Sequence, residues 1–296
     1  DIGIWDDDVS VDEMVSFYKL DECQSTNNEL PYIWSMTVSS YDGIIGFKEH
    51  SIEPGKDPQC IALSNFIDFK LLNLGWTMCD ASVISAGCLR DEPNIVMAPE
   101  HFPDLQSIRL NHKKSMYPIH IVITGSGDIP LKHRIITQSS ITSIIITTET
   151  GKNNLENQYY GDGTFDKDLN FYKYLENGNT CIKIFDSTEP NGNILSNFSN
   201  IFTELKKEYN INFMDVSGGG RLISSLIEEK IINEMRLTIA GQLCGSLNSN
   251  GERRPTLFPS TKKSYTPETA PFISHKSIRL HKDQWMFLRS TVNYRH

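Results

Sequence analysis

Residues 216–240 read VSGGGRLISSLIEEKIINEMRLTIA, and the hydrophobic pattern changes period twice along them. The stretch begins at the end of Ile211-Asn-Phe-Met-Asp-Val216, which carries the β-branched and aromatic content of a strand. From Arg221 to Ile232 the apolar residues Leu222, Ile223, Leu226, Ile227 and Ile231 recur at helical spacing. Met235, Leu237 and Ile239 then alternate with polar residues, the pattern of a strand with one face on a core. Between the first strand and the helix stand Gly218, Gly219 and Gly220. Glycines let backbone amides approach an anion without interference from Cβ, and the start of a helix adds partial positive charge. A phosphate or pyrophosphate suits such a turn, with Arg221 placed to pair with a further phosphate. A tight strand-to-helix turn without a ligand accounts for the same residues. The stretch is not a Walker loop, because no Gly-Lys-Ser/Thr follows, and Ile223 stands where the dinucleotide fingerprint needs its third glycine.

Outward from this block the strand-then-helix pattern continues. Tyr32 to Val38 reads as a strand ending in the turn Ser39-Ser-Tyr-Asp-Gly43, and residues 60–74 read as a helix stopped by Gly75. Ala81 to Ile84 is a buried strand running into a loop, Ser85-Ala-Gly-Cys-Leu-Arg-Asp-Glu-Pro93. Ile119 to Ile123 is a strand entering the turn Thr124-Gly-Ser-Gly-Asp128. Further strands fall at 141–148 and 181–185, a helix at 196–208, a proline-rich loop at 246–275, and a closing hairpin at 277–280 and 285–288. Residues 151–180, rich in Asn, Gly and Tyr with weak periodicity, read as a long surface insertion. Strands alternating with helices predict an α/β fold: a three-layer α-β-α arrangement on a mostly parallel sheet with a C-terminal antiparallel hairpin.

A length of 296 residues suggests two domains, but the regular pattern runs from about residue 31 to the end without a linker. Composition, 39% hydrophobic and 22% charged, excludes disordered and fibrous classes. The net charge of −9 is unevenly placed. Residues 1–30 hold nine acids and one base, Lys19, and read as an acidic N-terminal extension that offers a place for a protein partner. The remainder carries 28 acids and 27 bases, with no basic cluster of the kind nucleic-acid binding needs. The six cysteines form no C-x-x-C pair, so free thiols and no metal site are expected. No apolar run approaches the ~18 residues of a membrane span. The expected location is the cytoplasm, or an organelle matrix after removal of a targeting segment.

Four segments taken together, LPYIWSMTVSSYDG (30–43), CDASVISAGCLRDEP (79–93), TGSGD (124–128) and VSGGGRLISSLIEEKIINEMRLTIAGQLCG (216–245), resemble the reductase domain of riboflavin biosynthesis. That family comprises the C-terminal half of the bifunctional deaminase-reductase and the stand-alone pyrimidine reductases. The resemblance covers about residues 30–290 and implies a dihydrofolate-reductase-like fold, NADPH as cofactor, a small heterocyclic or ribosylamino-pyrimidine substrate, and a homodimer. It places cofactor contacts at Ser39, Gly87, Cys88, Thr124, Ser126, Gly218, Gly219, Gly220, Arg221 and Leu222. It gives Asp42 an orienting or proton-handling role, and Asp91, Glu92 and Ser217 the substrate end. Three positions depart from the family pattern: its acidic residue before the glycines is Ser217, its threonine in the second segment is Cys88, and its asparagine there is Glu92. These departures keep a second reading in view, a catalytically silent relative serving as a structural or assembly subunit.

Overall fold

The structure is a computed structural model that describes residues 1–19, 23, 28–166, 168–185, 197–259 and 264–295. The chain opens with β1 (Ile2–Ile4) and α1 (Val11–Tyr18). Ser10 starts α1 with a reciprocal cap: its hydroxyl accepts from the Glu13 amide at 3.3 Å, and the Glu13 carboxylate accepts from the Ser10 amide at 3.0 Å. There follow β2 (Tyr32–Ser40), α2 (Asp57–Ile61), α3 (Phe66–Met78), β3 (Ala81–Ser85), α4 (Ala86–Asp91), α5 (Pro103–Asn111), β4 (Ile119–Ile123), α6 (Arg134–Thr137) and β5 (Ser143–Thr147). The second half comprises α7 (Glu149–Gly161), α8 (Phe171–Asn177), β6 (Thr180–Ile184), α9 (Phe198–Tyr209), β7 (Phe213–Val216), α10 (Gly220–Glu228), β8 (Glu234–Ala240), β9 (Phe272–His281) and β10 (Trp285–Asn293).

All ten strands form one sheet in the order β1-β9-β10-β8-β2-β7-β3-β4-β5-β6, in which only the two pairings made by β10 are antiparallel. The three-layer α/β architecture with its C-terminal hairpin is thus as the sequence predicts. One face is covered by α9 and α10, whose Ile201, Phe202, Leu205, Ile223 and Leu226 pack on Ile33, Val83, Ile121, Ile144, Met214 and Val216. The other face carries α3 and α4 with α6, α7 and α8 at one end of the sheet, and α1 with α3 and α5 at the other. Strands such as β5, buried along its whole length, read as unbroken apolar runs because helices cover both faces.

Several local readings are corrected. The helix expected at 60–74 is two helices, since Leu63 and Ser64 both take positive φ and the Asn65 side chain caps α3 by accepting from the Asp68 amide at 3.0 Å. Gly75 does not stop α3 but lies inside it, where the helix crosses close over the sheet. The loop expected after β3 is the helix α4, capped by Ser85 Oγ on the Cys88 amide at 3.3 Å. Residues 151–180 form most of α7, all of α8 and the start of β6; Leu155, Tyr159, Phe171 and Leu175 are buried, but too sparsely spaced to show helical periodicity. The polar face of β8 is buried more completely than its apolar one: Glu234, Arg236 and Thr238 are enclosed, while Leu237 and Ile239 are half-buried.

The acidic N-terminal stretch, as far as it is described, is built into the sheet. β1 pairs with β9, and Trp5, Met14, Phe17 and Tyr18 join the core formed with Leu71, Leu74 and Phe287. Asp1 pairs with Arg279 at 2.6 Å and Asp7 with Lys282 at 2.5 Å, so acids of this stretch are matched by bases of the hairpin. Emptying the Phe17 site removes a buried ring lying edge-on to Trp5 at 5.1 Å. Phe17→Ala is expected to cost about 3–5 kcal/mol and to lower the denaturant midpoint of the whole domain in a single transition, read by circular dichroism and tryptophan fluorescence together.

Candidate active site

β7 is wedged between β2 and β3, the two strands with which the alternating pattern begins, and it is short. Val216 is level with Ser35, whereas β2 runs on to Ser40. The Ser217 amide makes one more sheet bond, to the Val83 carbonyl at 3.0 Å, before the chain turns into α10. Among the described residues no strand pairs with β2 beyond Ser35 on this side, so the sheet parts there, and the candidate cleft is at the carboxyl ends of β2, β7 and β3. Such a switch in strand order is where open α/β sheets collect ligands.

The four stretches singled out in the sequence line up along this edge in the order β2, β7, β3, β4. The glycine turn packs on α4: a Cβ at Gly219 would stand 3.2 Å from Cys88 Sγ, and burial pushes the Cys88 thiol up from its ordinary range. On its other side, a Cβ at Gly220 would meet the Thr256 carbonyl at 2.2 Å and the Leu257 carbonyl at 2.8 Å. The same segment is sewn to the turn after β2, with the Leu257 amide donating to the Gly43 carbonyl and the Ile45 amide to the Pro255 carbonyl, both at 3.0 Å. The proline-rich loop therefore belongs to the site, which its composition did not reveal. No side chain caps α10, and Arg221 is exposed at its first turn.

Ser39 is buried at the end of β2. Asp42, exposed, is engaged: its carboxylate accepts from Ser40 Oγ at 2.6 Å, from the Gly245 amide at 2.8 Å and from the Cys244 amide at 3.1 Å. Partial burial opposes ionisation, but these bonds outweigh it and hold Asp42 below the usual carboxylate range. Asp91 pairs with Lys48, and Glu92 is pushed up to about 7 by burial and by Asp91, against the pull of Lys48. Thr124 Oγ1 accepts from the Gly127 amide at 3.0 Å and so closes its own turn; Asp128 of that turn pairs with Arg90 of α4 at 3.0 Å. Ser126 lies at the turn's surface, its carbonyl accepting from Asn154 at 2.9 Å. The turn is held against α7 by two glycines, since a Cβ at Gly127 would stand 2.0 Å from the Gly151 carbonyl.

Ser217 takes the place of an acid in the resemblance, and its hydroxyl has two partners beneath the site. It accepts from Trp76 Nε1 at 2.8 Å and donates to Asp215 Oδ1 at 2.5 Å. Asp215, wholly buried, also accepts from Trp34 Nε1 at 2.7 Å and Ser82 Oγ at 3.1 Å. Burial raises it to about 6, against the opposing effect of Ser217, Trp34, Ser82 and Arg236. Sequence reading passed over Asp215, although an acid in a short apolar strand is itself a signal of a buried, partnered charge. Asp68 of α3 was passed over too; burial raises it to about 6, opposed by a bond from Thr238 of β8.

The fold is that of a doubly wound α/β domain whose sheet changes strand order at β2, β7 and β3. The sequence matches the RibD C-terminal domain over residues 31–266, and the chain belongs to that family. No curated protein matches the sequence. Among solved structures, a pyrimidine reductase-like protein from Corynebacterium diphtheriae is 16% identical with a TM-score of 0.60, covering 88% of this chain and 92% of its own. RibD from Acinetobacter baumannii is 13% identical with a TM-score of 0.59, covering 90% of this chain, which spans 59% of the RibD length. The riboflavin biosynthesis reductase Rib7 of Saccharomyces cerevisiae is 14% identical with a TM-score of 0.54, covering 95% of this chain and 98% of its own.

Asp215 generates a pH signature. Its folded value, about 6, lies above the ordinary 3.8, so stability from this group is greatest at low pH, falls as pH rises from about 4 to 6, and is level beyond. Between pH 7 and pH 5 the native chain therefore gains about 1 kcal/mol from Asp215, and Asp215→Asn is expected to lose that gain. Urea unfolding of both proteins at the two pH values measures it.

Proposed function

We propose that this chain is a reductase of the riboflavin-pathway type, using NADPH to reduce a ribosylamino-pyrimidine or closely related heterocycle. The observation that carries the reading is the open face of Gly87. In a family of known fold, at the carboxyl ends of β3 and β7, a Cβ at Gly87 would have no neighbour nearer than Ser85 Oγ at 3.9 Å. The space beside α4 is thus kept clear by the absence of a side chain. The amides at the start of α10 supply the complementary donors for a dinucleotide's phosphates.

On this reading bound NADPH supplies the hydride, and the chain's residues bind, orient and exclude water. Gly218 to Leu222 receive the phosphates, with Arg221 free on the surface to pair with one of them. Ser39, Gly87 and Cys88 line the floor beside β2 and β3, while Thr124 and Ser126 lie toward the adenosine end. Asp91, Glu92 and Ser217 face the substrate end. Asp42, ionised and held by three donors, orients the turn after β2 against the loop at Cys244 and Gly245 rather than delivering a proton.

Calorimetric titration with NADPH is expected to give a dissociation constant in the micromolar range; binding of neither NADPH nor NADH overturns the reading. Gly87→Ala separates cofactor space from folding. Within α4 alanine is the better helix former, by up to ~1 kcal/mol, so the melting temperature should hold or rise. NADPH affinity should fall about tenfold or more as the new methyl intrudes.

A further inference from the structure

The face of the sheet beneath α1 and α3 carries a row of polar residues that crosses four strands. Ser82 of β3, Asp215 of β7, Trp34 of β2 and Glu234 of β8 are successive register partners. One pleat further along, Arg236 of β8 stands level with Arg289 of β10. Asp215, Glu234, Arg236 and Arg289 are all buried, and their formal charges cancel.

The contacts form a chain. Arg289 clamps Glu234 with two bonds of 2.9 Å, Arg236 Nε donates to Glu234 at 3.1 Å, and the Tyr32 hydroxyl donates to it at 2.7 Å. Both arginines hold Glu234 below the usual carboxylate range in spite of its burial. Among the described residues, both terminal nitrogens of Arg236 are buried without a hydrogen-bond partner. What flanks them is aromatic: the guanidinium lies 3.9 Å from the Tyr18 ring centre and 4.2 Å from that of Trp34. The same Trp34 indole holds Arg236 against its face and Asp215 on its N–H. Asp215 in turn takes the Ser217 proton at the cleft.

An indole N–H can only donate, so Trp34 and Trp76 fix the polarity of this network. Trp76 fills one lone pair of Ser217 and Asp215 takes its proton, which leaves the hydroxyl only an acceptor lone pair to offer a ligand. If Asp215 gains a proton, a serine beside it must reverse. The charged or titratable groups that reach Asp215 are Arg236 of β8, Tyr18 of α1 and Cys79 at the end of α3. Burial drives Tyr18 and Cys79 far up, so both stay neutral around pH 7.

We infer that Asp215 is a positioning residue that acts through Ser217, making this hydroxyl an obligate hydrogen-bond acceptor for an N–H of the substrate, and that Tyr18 of the N-terminal helix maintains the arrangement by stacking on Arg236. The inference rests on the reductase reading and names the chemistry of its substrate end: the group that docks on Ser217 is an amine or ring N–H donor.

The test follows the two indoles by NMR in the ligand-free protein labelled with 15N-tryptophan. The Trp34 and Trp76 N–H resonances should titrate together with one midpoint between pH 5 and 7, and Asp215→Asn should abolish the titration. Tyr18→Leu, which opens Arg236 to water, should raise the midpoint, whereas Tyr18→Phe, which keeps the ring, should leave it in place. In turnover, Ser217→Ala should raise KM for the pyrimidine about tenfold, Ser217→Thr should restore it, and the acidic limb of the pH profile of kcat/KM should move with the Tyr18→Leu midpoint. Indoles that do not titrate, or a midpoint indifferent to Tyr18→Leu, in a protein that binds NADPH, overturn the inference. Failure of the native chain to bind NADPH or NADH with the indole titration intact overturns the reductase reading instead.

Discussion

A strand that ends too early organises this molecule. β7 has four residues and lies between β2, which has nine, and β3. Among the described residues the unequal lengths leave the far half of β2 without a strand partner on one side, and the glycine turn leaves the sheet there while staying in contact with α4 and the segment at 256–257. Gly218 makes room for Leu222, whose Cδ2 would be 2.6 Å from an added Cβ; Gly219 makes room for Cys88, and Gly220 for the carbonyls of Thr256 and Leu257. Backbone packing therefore demands glycine at 220, whereas at 218 and 219 an added Cβ would press on the side chains of Leu222 and Cys88. The value of the glycines to a ligand is the consequence, because a turn stripped of side chains for packing also bares its amides.

The order of strands and helices was legible because burial on both faces makes β3, β4 and β5 predominantly apolar, and because α9 and α10 each bury one stripe. The short helix α4 was not, since a single buried residue, Leu89, carries no period. Of the site, the segments that frame the cleft were legible and the network beneath it was not. Glu234 and Arg236 alternate with Met235 and Leu237 in the manner of a strand with one wet face. They are dry because α1, more than two hundred residues earlier in the chain, lies over them. No local pattern in β8 records a cover that comes from so far away.

Enclosing two acids and two bases in a core is a demanding arrangement. The desolvation of such groups commonly equals or exceeds their attraction, and the loss of one partner strands the others. The set is placed where the sheet is thickest in aromatic rings, with Tyr18, Tyr32 and Trp34 supplying hydroxyl, N–H and ring faces in place of water. Residues 1–19, which begin as an anomaly of charge, end as the lid of this compartment.

The helix that shares the compartment's roof carries a consequence of another kind. α3 comes so close to the sheet at Gly75 that a Cβ there would stand 2.8 Å from Met36 Sδ and 3.2 Å from Asp215 Oδ2. Positions 36, 75 and 215 therefore compete for one volume. Over evolutionary time they are expected to vary as a set: lineages that trade Asp215 for a smaller residue gain room for alanine at 75, and those that keep the acid keep the glycine.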